Sequence, residues 1–292
     1  MEEGRRMTSP SPDAPEPAAG PGTAGTSAGT PSAASSLRLA GATVAYAERP
    51  VLEELDFEVP GGAFTAVIGP NGCGKSTMLR TLARTLRPRA GGALLDGRPL
   101  ERWRSKAIAR RIGLLPQDPV VPDAITVRAL VARGRHPYHS ALRQWLPGDD
   151  EAVDAAMAAT GVAELADQAV AELSGGQRQR VWIAMIIAQD TEYVLLDEPT
   201  SFLDVAHQIE VLHLCQDLRD QGRTVLAVLH DLNQAARYAD HLVVMDDGRV
   251  VASGSPAEVL TRELVAEVFS LQAEIAPDPQ SDTPMVVPLR RG

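Results

Sequence analysis

The 292-residue chain has little cysteine: Cys73 and Cys215 are its two thiols. Two thiols cannot build a disulfide framework, and these show no zinc-ligand spacing, so a reducing cytoplasm is expected. Long apolar runs are missing too. The longest obvious one, residues 181–188, falls far short of the roughly 20 residues that cross a bilayer, and a soluble protein is expected. Basic charge is scarce, with 28 Lys and Arg against 38 Asp and Glu and a net charge of -10, which disfavours nucleic acid or anionic lipid as a bulk electrostatic partner. No apolar segment follows Arg5 and Arg6, so no secretory leader is expected. Residues 1–36 are dominated by Pro, Ala, Gly, Ser and Thr without hydrophobic periodicity and are expected to be disordered. There is no internal repeat. With 44% hydrophobic residues the remainder can bury a sizeable core in one compound domain.

A phosphate-binding loop is present. The apolar run Phe64-Thr65-Ala66-Val67-Ile68 reads as a buried strand, and it breaks into Gly69-Pro70-Asn71-Gly72-Cys73-Gly74-Lys75-Ser76-Thr77. Met78, Leu79, Leu82, Ala83 and Leu86 then recur at helical spacing until Pro88. Strand, loop and helix in this order are the context that G-x-x-x-x-G-K-[ST] requires. Gly69, Gly72 and Gly74 let backbone N–H groups approach phosphate oxygens, the helix start adds positive partial charge, Lys75 supplies a full charge, and the Ser76 hydroxyl suits Mg²⁺.

A second strand, Tyr193-Val194-Leu195-Leu196-Asp197-Glu198, ends in adjacent carboxylates. Strand neighbours point to opposite faces, so the two acids are expected to have different tasks. Asp197 faces Mg²⁺ through water, and Glu198 is left to polarise an attacking water. Upstream, Leu173-Ser174-Gly175-Gly176-Gln177 offers a second helix start, with Ser174 as N-cap and exposed glycine N–H groups. The first loop already surrounds the phosphates of its own chain, so this tip is redundant unless it serves another nucleotide copy.

Together these motifs resemble the ATP-binding cassette (ABC) family, over roughly residue 37 to the C-terminus. The resemblance implies an α/β P-loop NTPase fold with a RecA-like core, an antiparallel β subdomain and a helical insertion. It implies that residues 173–177 cover the γ-phosphate of ATP held by a second subunit, in a head-to-tail dimer closing on two ATPs. Tyr46 matches the residue that stacks on adenine, with a core tyrosine as the alternative. Gln117, after the strand-like Ile112-Gly113-Leu114-Leu115-Pro116, matches the glutamine that reaches Mg²⁺ and water and senses the membrane partner, with a plain surface glutamine as the alternative. Asp204 matches the residue contacting the facing subunit. His230, after Thr224-Val225-Leu226-Ala227-Val228-Leu229, matches the histidine bonding the γ-phosphate. The implied reaction is in-line attack of water on the γ-phosphorus, with positioning and charge stabilisation doing most of the catalysis.

Around these motifs the periodicity predicts antiparallel strands over residues 37–59, helices over 125–133, 149–160 and 177–188, and a hairpin at Asp246-Asp247-Gly248. Asp149 or Asp150 is expected to cap the second helix. The expected divisions are a tail over 1–36, the ATPase domain over 37–254 with its helical insertion at about 118–188, and an extension over 255–292.

Longer strings are similar to the ATPase subunits of bacterial importers for iron-siderophore complexes, with cobalamin and haem importers as near relatives. They are Gly134-Arg135-His136-Pro137-Tyr138, the nine residues from Thr200 to Gln208, and the twelve from Leu229 to Asp240. Ile186-Ile187 departs from that group, which more often has smaller or unbranched residues there. The importer reading implies a membrane permease docked near Gln117 and the helical insertion, an extracytoplasmic substrate-binding protein further out, and residence on the cytoplasmic face of the cell membrane. A soluble ABC ATPase acting on macromolecules is the alternative, as is a P-loop kinase; the first would bring heptad coiled coils or two cassettes, and the second has no use for residues 173–177.

Overall fold

The computed structural model describes residues 36–120, 124–140 and 145–290. The sequence expectation for residues 1–35 therefore lies outside the described residues, while Ser36 donates its N–H to Asp96 Oδ1 at 3.1 Å. In chain order the elements are β1 (Leu37–Tyr46), β2 (Arg49–Glu58), β3 (Phe64–Ile68), α1 (Lys75–Leu82), β4 (Ala90–Leu95), β5 (Arg98–Pro99), α2 (Ser105–Ala109) and β6 (Ile112–Leu115). The helical stretch follows as α3 (Val127–Ala132), α4 (Asp149–Ala159) and α5 (Gly175–Gln189). Next come β7 (Tyr193–Asp197), α6 (Val205–Asp220), β8 (Thr224–Val228), α7 (Leu232–Tyr238), β9 (His241–Asp246) and β10 (Arg249–Gly254). The chain closes with α8 (Pro256–Val259), α9 (Arg262–Phe269), β11 (Ala273–Pro277) and β12 (Pro284–Pro288).

Every residue of β3, β7 and β8 is buried, as expected of parallel strands covered on both faces. They lie in a six-stranded sheet of order β10-β9-β3-β8-β7-β6, parallel except for the edge strand β10. Alternation divides their side chains. Phe64, Ala66, Val194, Leu196, Val225 and Ala227 join a core with α5, α6 and α7, whereas Val67, Leu195, Leu226 and Val243 join one with α1 and the other sheet. That other sheet is antiparallel, order β2-β1-β4-β5. The α/β fold is thus a largely parallel sheet between helices on one side and a helix plus antiparallel sheet on the other.

Several boundaries differ from the sequence reading. α1 stops at Leu82 rather than running on through Leu86, because Arg84 turns left-handed at φ 55° and the N–H groups of Thr85 and Leu86 fold back onto the Arg80 carbonyl. The predicted helix over 125–133 shortens to α3, since Thr126 is its N-cap and the chain tightens to a 3₁₀ turn from Arg133. Neither Asp149 nor Asp150 caps α4; that position is Gly148 at φ 92°. The extension is not featureless: β11 and β12 pair as a hairpin whose Val286 exchanges two hydrogen bonds with the Asn233 side chain of α7. Arg237 of α7 also ion-pairs with Asp278.

Asp149 has gone inward. Its carboxylate is fully buried and accepts from Arg135 Nε at 2.8 Å and from the Leu146 N–H at 2.8 Å, with His139 Nε2 at 2.9 Å. Burial pushes this carboxyl up, but the Arg135, Leu146 and His139 bonds outweigh it and hold it below the usual carboxylate range. A depressed folded pKa means the stabilisation is present above the unfolded value, about 4, and is lost as pH falls through the folded value. Asp149→Ala would leave the Arg135 guanidinium without its carboxylate, with only the Ala188 carbonyl and the Tyr138 ring beside it. It is expected to cost roughly 3 kcal/mol near neutral pH, and urea titrations from pH 7 down to 3 should show the difference from the parent chain shrinking at the acid end.

Candidate active site

The phosphate loop is held from three directions. β3 delivers it from the buried sheet, the Gly248 N–H donates to the Cys73 carbonyl at 3.0 Å, and Lys75 folds back so that Nζ donates to the Gly69 and Pro70 carbonyls, each at 2.8 Å. Lys75 is 5% exposed, so its charge is set beneath the loop rather than in bulk water. Cys73 is buried with Sγ 3.9 Å from Nζ; burial pushes its thiol up, with Lys75 opposing. Asn71 and Gly72 form the exposed crest, and Gly74 at φ 106° caps α1. Tyr46 is 49% exposed at the end of β1 and lines a hollow with Asn71, Gly72, Lys75, Thr77 and Glu198. It is a surface tyrosine beside the loop, not a core one.

Asp197 ends β7 with no exposed surface. Its Oδ1 accepts from Ser76 Oγ at 2.7 Å, while Oδ2 has no hydrogen-bond donor and sees Arg80 at 3.7 Å. Burial pushes its carboxyl up, and the Ser76 bond and Arg80 charge oppose that. A buried carboxylate oxygen without a donor, next to a hydroxyl at the phosphate loop, is the oxygen-rich setting a hard cation takes. Ser76 and Asp197 therefore fit Mg²⁺.

Glu198 departs from Asp197 by a mechanism other than strand alternation. β7 has already ended, and Glu198 takes φ 54°, a left-handed conformation uncommon for a non-glycine residue. Its carboxylate becomes a point of convergence. Oε2 accepts from Gln117 Nε2 at 2.8 Å and from Ser201 Oγ at 2.9 Å, and Oε1 lies 2.8 Å from His230 Nε2. Those partners arrive from the turn after β6, the loop after β7 and the turn after β8. Ser201 was read only as part of a family string; a hydroxyl three residues beyond a carboxylate is the signal that could have marked it.

The tip of α5 is built differently. Ser174 Oγ accepts from the Gln177 N–H at 3.2 Å and the Ser174 N–H donates to Gln177 Oε1 at 3.0 Å, a reciprocal cap that satisfies two backbone donors. Leu173 anchors the turn in the core, while Ser174 and Gly175 are exposed. None of the five lines the hollow beside the phosphate loop. Asp204 caps α6, accepting from the His207 N–H at 3.0 Å with His207 Nδ1 at 2.8 Å; the N–H bond leads the causes that hold its carboxyl down. This capping role was not foreseen. Beside it Phe202 is 89% exposed.

Residues 52–201 match the family described as ABC transporter. The chain belongs to that family. Among its relatives, the ferric enterobactin transport ATP-binding protein FepC of Escherichia coli (strain K12) is 53% identical over 250 residues, covering 85% of this chain and 92% of that protein. The siderophore transport system ATP-binding protein YusV of Bacillus subtilis (strain 168), assigned there as probable, is 48% identical over 251 residues, covering 86% and 91%. The dimeric structure of a bacterial ABC transporter cassette superposes with a TM-score of 0.67 at 25% identity, covering 75% of this chain and 98% of that one. As a member of the ABC family the chain is an ATPase.

Two loop glycines separate steric from conformational demand. A Cβ on Gly69 would lie 2.1 Å from the Met245 carbonyl oxygen, so main chain would have to move, whereas Gly72 at φ 79° has open space around it. Gly69→Ala is expected to cost at least about 3 kcal/mol of unfolding free energy and Gly72→Ala about 1 kcal/mol, as measured by urea denaturation of the full chain.

Proposed function

We propose that this ABC ATPase powers import of iron-siderophore complexes from the cytoplasmic face of the cell membrane, as one of two subunits closing head to tail on two ATPs. The observation that carries the catalytic part is the convergence of Gln117, Ser201 and His230 on the Glu198 carboxylate beside the phosphate loop. In this reading Gly69, Pro70, Asn71, Gly72, Cys73, Gly74, Lys75, Ser76 and Thr77 cradle the phosphates, and Tyr46 stacks on adenine. Ser76, Asp197 and Gln117 hold Mg²⁺, which when bound neutralises charge on the phosphate oxygens. Glu198 takes the proton of the attacking water as its oxygen bonds to the γ-phosphorus and ADP leaves. His230 donates to the γ-phosphate, and Leu173, Ser174, Gly175, Gly176 and Gln177 reach the nucleotide of the second copy, with Asp204 at that interface.

The domain reading is an ATPase unit over 37–254, an insertion over about 118–188 and a C-terminal extension over 255–292. The insertion supports a docking site for the permease. Between α2 and α3 lies a groove of about 800 Å³ whose lining is mainly apolar, with Ala109, Ala129, Ala132 and Trp145 beside the basic Lys106 and His136. It suits a cytoplasmic helix of the permease, and an extracytoplasmic substrate-binding protein completes the importer. Among the described residues no helix is long and apolar enough to cross a membrane.

Glu198→Gln keeps the shape of the side chain but removes its basicity. It is expected to bind ATP with near-parental affinity and to hydrolyse it at least about a hundredfold more slowly; near-normal turnover would sink the assignment. Lys75→Ala should instead weaken ATP binding in a nucleotide titration. For the cargo, a deletion strain should lose uptake of labelled ferric siderophore, while loss confined to haem or cobalamin would move the assignment to those cargoes.

A further inference from the structure

α7 begins two residues after His230, and side chains grip its first turn on both flanks. On one flank Asn233 exchanges hydrogen bonds with Val286 of the C-terminal hairpin, at 3.2 and 2.7 Å. On the other, Gln234 Nε2 donates to Gln208 Oε1 of α6 at 2.8 Å. Gln208 Nε2 passes the link on, donating to the Leu203 carbonyl at 3.1 Å and to that of Thr200 at 3.4 Å. Those carbonyls belong to the loop over 199–204, whose Ser201 hydroxyl bonds Glu198. The orientation of both amides is fixed by this network: a flipped Gln208 would set its oxygen against two carbonyl oxygens and its NH₂ against that of Gln234.

We propose that Gln234 and Gln208 are positioning residues for ATP hydrolysis. Their relay ties the loop over 199–204 to the start of α7, so that Glu198, reached through Ser201, and His230, two residues before α7, keep one relative geometry. The inference rests on the reading of Glu198 and His230 as groups that act at the nucleotide. Neither glutamine touches the phosphate loop or the hollow beside it. The relay contains no charge, so its effect is geometric. Small misplacements of reacting groups lower rate strongly while leaving ground-state binding intact.

The same two helices provide a control. Gln216 of α6 donates to the Tyr238 carbonyl at the far end of α7, at 3.1 Å, a comparable half-buried bond remote from the loop. In the full-length chain, Gln234→Ala and Gln208→Ala are expected to lower kcat about tenfold with KM for ATP within about twofold. The double variant should lose little more than either single one, because both break one relay. Gln234→Lys keeps a donor of similar reach and should restore most of the rate, and Gln216→Ala should leave kcat unchanged. Amide hydrogen exchange over 200–204 should quicken in Gln234→Ala but not in Gln216→Ala. Equal loss in Gln216→Ala, additive loss in the double variant, or unchanged exchange over 200–204 would overturn the relay. A parent chain that binds ATP without turning it over would instead refute the reading of Glu198, and the exchange comparison would still decide the relay.

Discussion

The site depends on one constraint: five parallel strands end at the same edge of one sheet. Register sets the level. Val67 lies opposite Val228, Asp197 opposite Val228 on its other side, and Leu115 opposite Leu196, so the turns after β3, β8, β7 and β6 leave the sheet side by side. The phosphate loop, His230, Glu198 and Gln117 occupy those turns. A slip of one residue in any of these strands would turn its apolar set to the wrong core and withdraw its polar group from the edge. Burial of both sheet faces is what forbids the slip, so the two hydrophobic cores fix the polar site between them. This is the general placement of ligand sites in parallel α/β sheets, outside the carboxyl ends of the strands.

Electrostatics then has to work against the chain as a whole. A protein of net charge -10 must hold a polyanion, so attraction has to be local. Lys75 is a cation set beneath the loop, where the Gly69 and Pro70 carbonyls accept from its ammonium and burial limits the screening of its field. The buried Asp197 carboxylate works the other way. Ser76 and Arg80 compensate it only partly, and burial pushes its carboxyl up. A divalent cation at Ser76 and Asp197 would cancel that cost and the phosphate charge together.

Much of this was legible because phosphate chemistry is written in contiguous residues. Glycines, lysine and hydroxyl must follow one strand in fixed order, and the two acids must follow another. What could not be read arises where partners are distant in sequence or where backbone conformation decides. The separation of Glu198 from Asp197 was expected from strand alternation, yet it comes from a left-handed turn at Glu198 itself. Asp149 looked like a helix cap because acids favour first turns, but Arg135 and His139, brought close by the 3₁₀ turn, draw it inward. The hairpin of β11 and β12 escaped notice because prolines bound both short strands and its attachment is to Asn233 and Arg237, some 40 to 50 residues back. The α/β core was legible from the strands that carry the motifs, and the ABC fold from the resemblance of those motifs to the family.

The tip of α5 shows how a short motif can serve geometry at both ends of a helix. Its reciprocal cap leaves Gly175 with nothing within 4 Å of a notional Cβ, so the tip meets the outside with bare backbone. At the other end Gln189 donates to the Ala109 carbonyl at 2.7 Å, beside β6, and the Ala188 and Gln189 carbonyls accept from Arg135 at 2.9 Å and Tyr138 at 3.0 Å. Arg135 also holds Asp149, so the helix is stitched to the groove-forming segment as well as to the strand that leads to Gln117. A 15-residue helix fixed at its base cannot shift its tip without moving those attachments. The same helix thus links the surface proposed for the permease to the backbone proposed for the second nucleotide.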